Sequence, residues 1–128
     1  MTEGRFQARV REEIQRHLSE IVEFEARDPL IKSAFPTVMD VRLSPDGSHA
    51  RIFVALGENV ADREAVIRQF ERDRGFFRSM LARRLEMRYT PELHFVLDET
   101  VERSMHLHSL LDEDDLREPE ASPEEETQ

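Results

Sequence analysis

The feature that most constrains this chain is a pair of apolar runs with two-residue alternation on either side of Ser44-Pro45-Asp46-Gly47. Met39, Val41 and Leu43 alternate with Asp40 and Arg42, and Ala50, Ile52, Val54 and Leu56 alternate with Arg51, Phe53 and Ala55. That period places each set of side chains on one face of a strand. Proline fixes φ and glycine reaches positive φ, so the four residues between the runs are turn chemistry, and the whole predicts an antiparallel hairpin. The flanking segments have the helical period instead. Phe6, Val10, Ile14, Leu18, Ile21 and Val22 form one stripe of a helix that should end near Arg27, because Pro29 disfavours helical geometry at Asp28. Asp28 to Pro36 then reads as a loop.

From Asp62 to Met87 helical spacing returns, with Val66, Ile67, Phe70, Phe77, Met80, Leu81 and Leu85 on the apolar side. Gly75 interrupts it and Asp73 suits an N-cap, which predicts two consecutive helices with a kink at Asp73-Arg74-Gly75. After Pro91, Leu93, Phe95 and Leu97 alternate with His94, Val96 and Asp98 as a third strand, and Val101 to Leu111 reads as a short helix. The order is helix, strand, strand, kinked helix pair, strand, short helix. This is an α+β plan, a three-stranded sheet with helices on one face and water on the other.

A chain of 128 residues holds one such core. It has no cysteine, which excludes disulfides, thiolate nucleophiles and Cys-ligated zinc or iron-sulfur centres. No apolar run approaches the roughly 20 residues that span a bilayer, and the first residues lack the apolar stretch of a secretory signal. A soluble cytoplasmic protein with no membrane partner is expected.

The net charge of -10 argues against a nucleic-acid partner until its distribution is read. Residues 112–128 carry nine acids and only Arg117, a local charge of 1 - 9 = -8. This stretch has too little apolar surface to offset chain entropy and is expected to be a disordered acidic tail. Residues 1–111, the expected domain, hold 17 basic and 19 acidic side chains, a net 17 - 19 = -2. Within them, residues 63–88 stand out, with eight arginines against four acids, or +4.

Several segments together resemble the ribosome-binding factor A family. They are Arg9-Val10-Arg11-Glu12-Glu13-Ile14 in the first helix, Asp28-Pro29, the strand pair 38–44 and 49–54, Gly75-Phe76-Phe77-Arg78-Ser79-Met80-Leu81, and Pro91-Glu92-Leu93. The short helix with Met105 and Leu111 also fits. The resemblance spans about residues 6–111 and implies a type II KH-like fold of order αββααβ. Ordinary KH domains clamp RNA with a GXXG loop. Here Gly4, Gly47, Gly57 and Gly75 never fall three apart, and the family replaces that loop with a kink of the form Ala-x-Gly, which reads Asp73-Arg74-Gly75 in this chain. The resemblance further implies a non-enzymatic, monomeric factor that binds the immature 30S subunit and assists maturation of 16S ribosomal RNA, including its 5′ end. It implies cold adaptation and a partner GTPase that assists release.

The candidate RNA-binding residues are Arg72, Arg74, Arg78, Arg83, Arg84 and Arg88 of the basic stretch, joined by Arg5 and Arg9 on the first helix. With Leu81 at the centre of the buried face, Arg83 points to solvent and Arg78 and Arg84 flank the buried stripe. Arg74 sits beside the kink, where free N–H groups of the following helix favour an anion. The bland alternative is a solvated face laced with pairs such as Glu64 with Arg68. Phe77, in line with Leu81 and Leu85, reads as core, whereas Phe76 projects elsewhere.

No metal site or cofactor is read from the sequence. His106 and His108 point about 200° apart on a helix, no HExxH occurs, and Asp112 to Asp115 lack the glycine and spacing of a calcium loop. No P-loop, dinucleotide fingerprint or paired nucleophile and base is present. The rival reading is an adaptor whose sheet face or acidic tail binds a basic protein.

Overall fold

A computed structural model of the chain describes residues 4–85 and 88–100. The short helix expected at 101–111 and the tail at 112–128 lie outside these residues. The elements in chain order are α1 (Arg5–Phe24), α2 (Pro29–Ser33), β1 (Thr37–Leu43), β2 (His49–Ala55), α3 (Arg63–Arg72), α4 (Arg74–Arg84) and β3 (Glu92–Leu97). The three strands form one sheet in the order β1-β2-β3. β1 and β2 are the expected antiparallel hairpin. β3 runs parallel to β2, after the crossover through α3 and α4.

The helices cover one face of the sheet. From α1, Val10, Ile14, Leu18, Ile21 and Val22 are buried, and they meet Val41, Ile52, Val54, Leu93 and Phe95 from the strands. Phe70 of α3, Phe77 of α4 and Phe95 of β3 form an aromatic cluster with centroids 4.9 to 5.5 Å apart, in the tilted and offset geometries that ring quadrupoles favour. This cluster ties both halves of the kinked pair to the edge strand.

At the entry to the sheet the structure differs from the expected layout in two places. Asp28 to Pro36 is not all loop, because Asp28 starts a helix as well as ending one. Its carboxylate accepts from the Leu30 and Ile31 N–H groups at 2.8 and 3.4 Å, and Pro29 takes the first helical position, where its missing N–H costs nothing. Asp28 is extended in this cap, and α1 ends at Phe24, with Glu25 as its C-cap, rather than near Arg27. On β1, Met39 is exposed, and Val38 takes the core position expected of Met39. The register shifts between Val38 and Asp40, a bulge whose Met39 carbonyl accepts from Gln15 Nε2 of α1 at 3.1 Å.

The hairpin turn is tightly bonded. Gly47 adopts a φ of 76°, and Asp46 accepts from the Ser48 N–H and from the Ser48 and Ser44 hydroxyls, the Ser48 N–H being the largest influence. These bonds lower its carboxyl from 3.8 to about 2.

The kink falls where the sequence puts it, with α3 ending at Arg72 and α4 starting at Arg74. Asp73 occupies the N-cap position of α4 but makes no side-chain cap, and its carboxylate accepts from Gln69 Nε2 at 3.2 Å instead. Gly75 has no positive φ, and a Cβ placed there meets no neighbouring atom within 4 Å. The kink therefore does not depend on glycine for its geometry. Gly75→Ala is expected to raise stability by about 0.5–1 kcal/mol through helix propensity, read as a higher midpoint in urea unfolding.

Candidate nucleic-acid interface

The basic stretch divides by what each guanidinium already holds. Around the kink, Glu71 bridges two partners: one carboxylate oxygen accepts from Arg74 Nη1 at 2.9 Å, and the other accepts a short bond from the Phe95 N–H. That N–H lies on the edge of β3 away from β2, so Glu71 covers a donor that no described strand pairs. Arg72 donates to Gln69 Oε1 at 2.8 Å, and Arg78 donates through Nε and Nη2 to the Thr90 carbonyl at 3.2 and 2.7 Å. All three arginines remain exposed and keep further N–H donors. The first turn of α4 has no side-chain cap, so its N–H groups add partial positive charge beside them, partly offset by Asp73.

Arg84 has a different fate. Its Nη1 and Nη2 donate to Glu20 Oε1 at 2.5 Å and Glu25 Oε2 at 2.8 Å. The Glu25 bond and then the Glu20 bond raise the pKa of the guanidinium above its ordinary value. Arg84 thus clamps the end of α4 to the end of α1. Arg63, which counts toward the +4, is also committed, donating to the carbonyls of Leu56, Gly57 and Val60 at 3.1 to 3.2 Å.

Below the clamp lies an open groove of about 840 Å³ between the start of α1, the hairpin turn and the chain after α4. Arg9, Arg84 and Arg88 line it against the acids Glu13 and Asp46, with Phe6 and Tyr89, which are 73 and 74% exposed. Arg5 is one turn before Arg9 on α1, and no described side chain caps the N-terminus of that helix. Arg5 and Arg9 are exposed and make no ion pair or hydrogen bond with a described residue, while the Arg88 guanidinium lies 5.6 Å from the Tyr89 ring centroid. Cationic side chains interleaved with exposed aromatic rings match what single-stranded nucleic acid requires, phosphate contacts plus stacking surfaces.

Six of the eight candidates thus fall in two exposed groups, Arg72 with Arg74 and Arg78 at the kink, and Arg9 and Arg88 lining the groove with Arg5 one helical turn away from Arg9. Arg83 stands apart. It lies five residues beyond Arg78, about 140° round the helix, exposed and without a partner among the described residues. Glu64 and Arg68 form no ion pair, so Arg68 is a further exposed cation on α3. Phe6, taken as the first residue of the α1 core stripe, belongs to the groove, and Tyr89 carried no periodic signal at all. Phe77 is core, and Phe76 meets it edge-on at 5.3 Å, partly buried rather than projecting freely.

The face of the sheet opposite the described helices carries a second set. Phe53 lies between two guanidinium groups, Arg42 at 5.4 Å and Arg51 at 5.2 Å from its ring centroid. Beside them His49, Glu92 and His94 converge, which the histidine spacing in sequence did not suggest.

The chain is similar throughout this body to known proteins. The family model described as Ribosome-binding factor A matches residues 6–111. The ribosome-binding factor A of Methylobacillus flagellatus is 38% identical over 120 residues, covering 94% of this chain and 91% of that protein. The crystal structure of ribosome-binding factor A from Thermus thermophilus superposes with a TM-score of 0.62 at 31% identity, over 70% of this chain and 92% of the other. A homology model of the Thermus thermophilus factor, as fitted into the cryo-EM map of a 30S complex, gives a TM-score of 0.57 at 31% identity, over 69 and 90% of the two chains. The helix-on-sheet body, with its kinked α3–α4 pair and parallel β3, is accordingly the KH-like fold of these structures. Matched along its helices, strands and kink alike, the chain belongs to the ribosome-binding factor A family.

Proposed function

We propose that this protein docks on the immature small ribosomal subunit and assists maturation of its 16S ribosomal RNA, including the 5′ end, without catalysing a reaction itself. The observation that carries the proposal is the pairing of family membership with two exposed arginine groups, at the kink and at the groove. The neighbour fitted into a 30S map lends the partner. Arg5, Arg9 and Arg88 contact phosphate at the groove, with Phe6 and Tyr89 offering stacking surfaces. Arg72, Arg74 and Arg78 contact it at the kink, Arg83 adds a separate contact, and Arg84 holds α4 in place between them.

The protein acts as a monomer in the cytoplasm, and a partner GTPase promotes its release. No described helix is long and apolar enough to cross a membrane. The test is sedimentation of the protein with immature small subunits across a salt series. Co-sedimentation should fall steeply, linearly in log K against log salt, as phosphate contacts release counterions. Binding that ignores salt, or survives removal of the RNA by nuclease, would favour a protein-docking adaptor instead.

A further inference from the structure

We infer that the open face of the sheet carries a binding site for a divalent transition-metal ion, zinc by ligand preference, held by His49, Glu92 and His94. The site is built by the sheet rather than by a loop. His49 begins β2 and Glu92 begins β3, and the two are direct partners in the parallel register. His94 follows two residues later on the same side of β3. Hydrogen bonds to the hairpin turn pin both strand starts, His49 N–H to Ser44 Oγ at 3.0 Å and Glu92 N–H to the Ser48 carbonyl at 2.9 Å.

The donor atoms converge on one point. His49 Nδ1 and His94 Nε2 are 3.0 Å apart, and Glu92 Oε1 lies 3.6 Å from the first and 3.9 Å from the second. Two ligands about 2.0–2.1 Å from a tetrahedral zinc are about 3.3 Å apart, so the three separations bracket the edge that such an ion requires. Two imidazole nitrogens at this distance need something between them, either one shared proton or a cation. Two neutral imidazoles with one carboxylate suit zinc, nickel or copper rather than magnesium or calcium. Arg51, the register partner of His94, lays its guanidinium on Phe53, on the side of Arg51 opposite His49. Three protein ligands leave the fourth position to water, and the ion would add positive charge to a face that already carries Arg42 and Arg51.

The site is independent of the RNA-docking proposal, since none of its residues belongs to either arginine group. The test is calorimetric titration of the full chain with zinc alone, together with cobalt(II) absorbance in the visible range. One equivalent should bind the wild type, and cobalt should give the bands of low-symmetry nitrogen and oxygen ligation. Both signals should vanish in His49→Ala and His94→Ala, weaken in Glu92→Gln, and persist in the double variant His106→Ala/His108→Ala. Circular dichroism keeps the comparison to folded proteins, and all three ligands are partly or fully exposed, so their replacement should leave the fold intact. Equal binding by the His49→Ala/His94→Ala double variant, or no saturable binding by the wild type, would overturn the site.

Discussion

The triple variant Arg5→Glu/Arg9→Glu/Arg88→Glu should lose most of its binding to immature small subunits while its thermal unfolding stays close to wild type. The dissociation arises because all three side chains are exposed and Arg5 and Arg9 have no partner among the described residues. Their positive charge is thus spare in the free protein. Substitutions at such positions usually change stability by within about 0.5 kcal/mol each. In a complex with RNA the same groups each replace counterions at a phosphate. Losing three such contacts should weaken binding at least about tenfold at low salt and reduce the slope of log K against log salt by about 0.7–0.9 per contact. The matching variant of Arg84 should behave in the opposite way. Arg84→Glu sets a third carboxylate against Glu20 and Glu25, so its first effect should be on the packing of α4 against α1. Sedimentation and unfolding measured side by side separate the two classes of arginine.

Phe77→Ala is the expected large loss of stability, about 3–5 kcal/mol. Phe77 is 1% exposed and packs against Phe70, Phe76 and Phe95, so truncation opens a cavity where α3, α4 and β3 meet. For a domain of this size that loss corresponds to a fall in Tm of more than about 12 °C. Phe76→Ala removes an adjacent ring of the same size that is only partly buried, and its loss should be clearly smaller. Chemical denaturation of the two variants checks both values. A similar cost for both would mean that the aromatic cluster is not centred on Phe77.

Much of this fold was legible because its elements are long enough to show a period. Six apolar residues at helical spacing in α1 and two alternating runs around a Pro-Asp-Gly turn leave few other readings. The misreadings have local causes. Pro29–Ser33 is too short to display any period, so α2 was read as loop. Val38 and Met39 are both apolar, and alternation cannot tell which of them faces the core once a bulge adds a residue. The parallel pairing of β3 with β2 joins segments more than 40 residues apart, and nothing local specifies it. For that reason the meeting of His49 with His94 could not be read from their positions.

The candidate interface was legible only as a quantity of charge. Counting eight arginines in residues 63–88 located the basic stretch but not the use of each side chain. Arg84 finds Glu20 on α1 and Glu25 at its C-cap, 64 and 59 residues earlier, and Arg63 turns back on the carbonyls of its own loop. Those partnerships depend on helix packing, not on spacing. Phe6 was assigned to the wrong environment because its place in the stripe is correct, yet no described element covers the first turn of α1 there. The acidic tail misleads in the opposite direction, since it hides a near-neutral body behind a net charge of -10.

The proposed docking places the arginine groups at the groove and the kink against the RNA of the immature small subunit. It is tested most directly by ultraviolet crosslinking of the bound protein to that RNA, with the crosslinked peptides located by mass spectrometry. Crosslinks are expected at the groove, in peptides containing Phe6 or Tyr89, and around the kink between Arg72 and Arg78. Crosslinks confined to the open sheet face at Arg42, Arg51 and Phe53, with none at the groove or the kink, would contradict it.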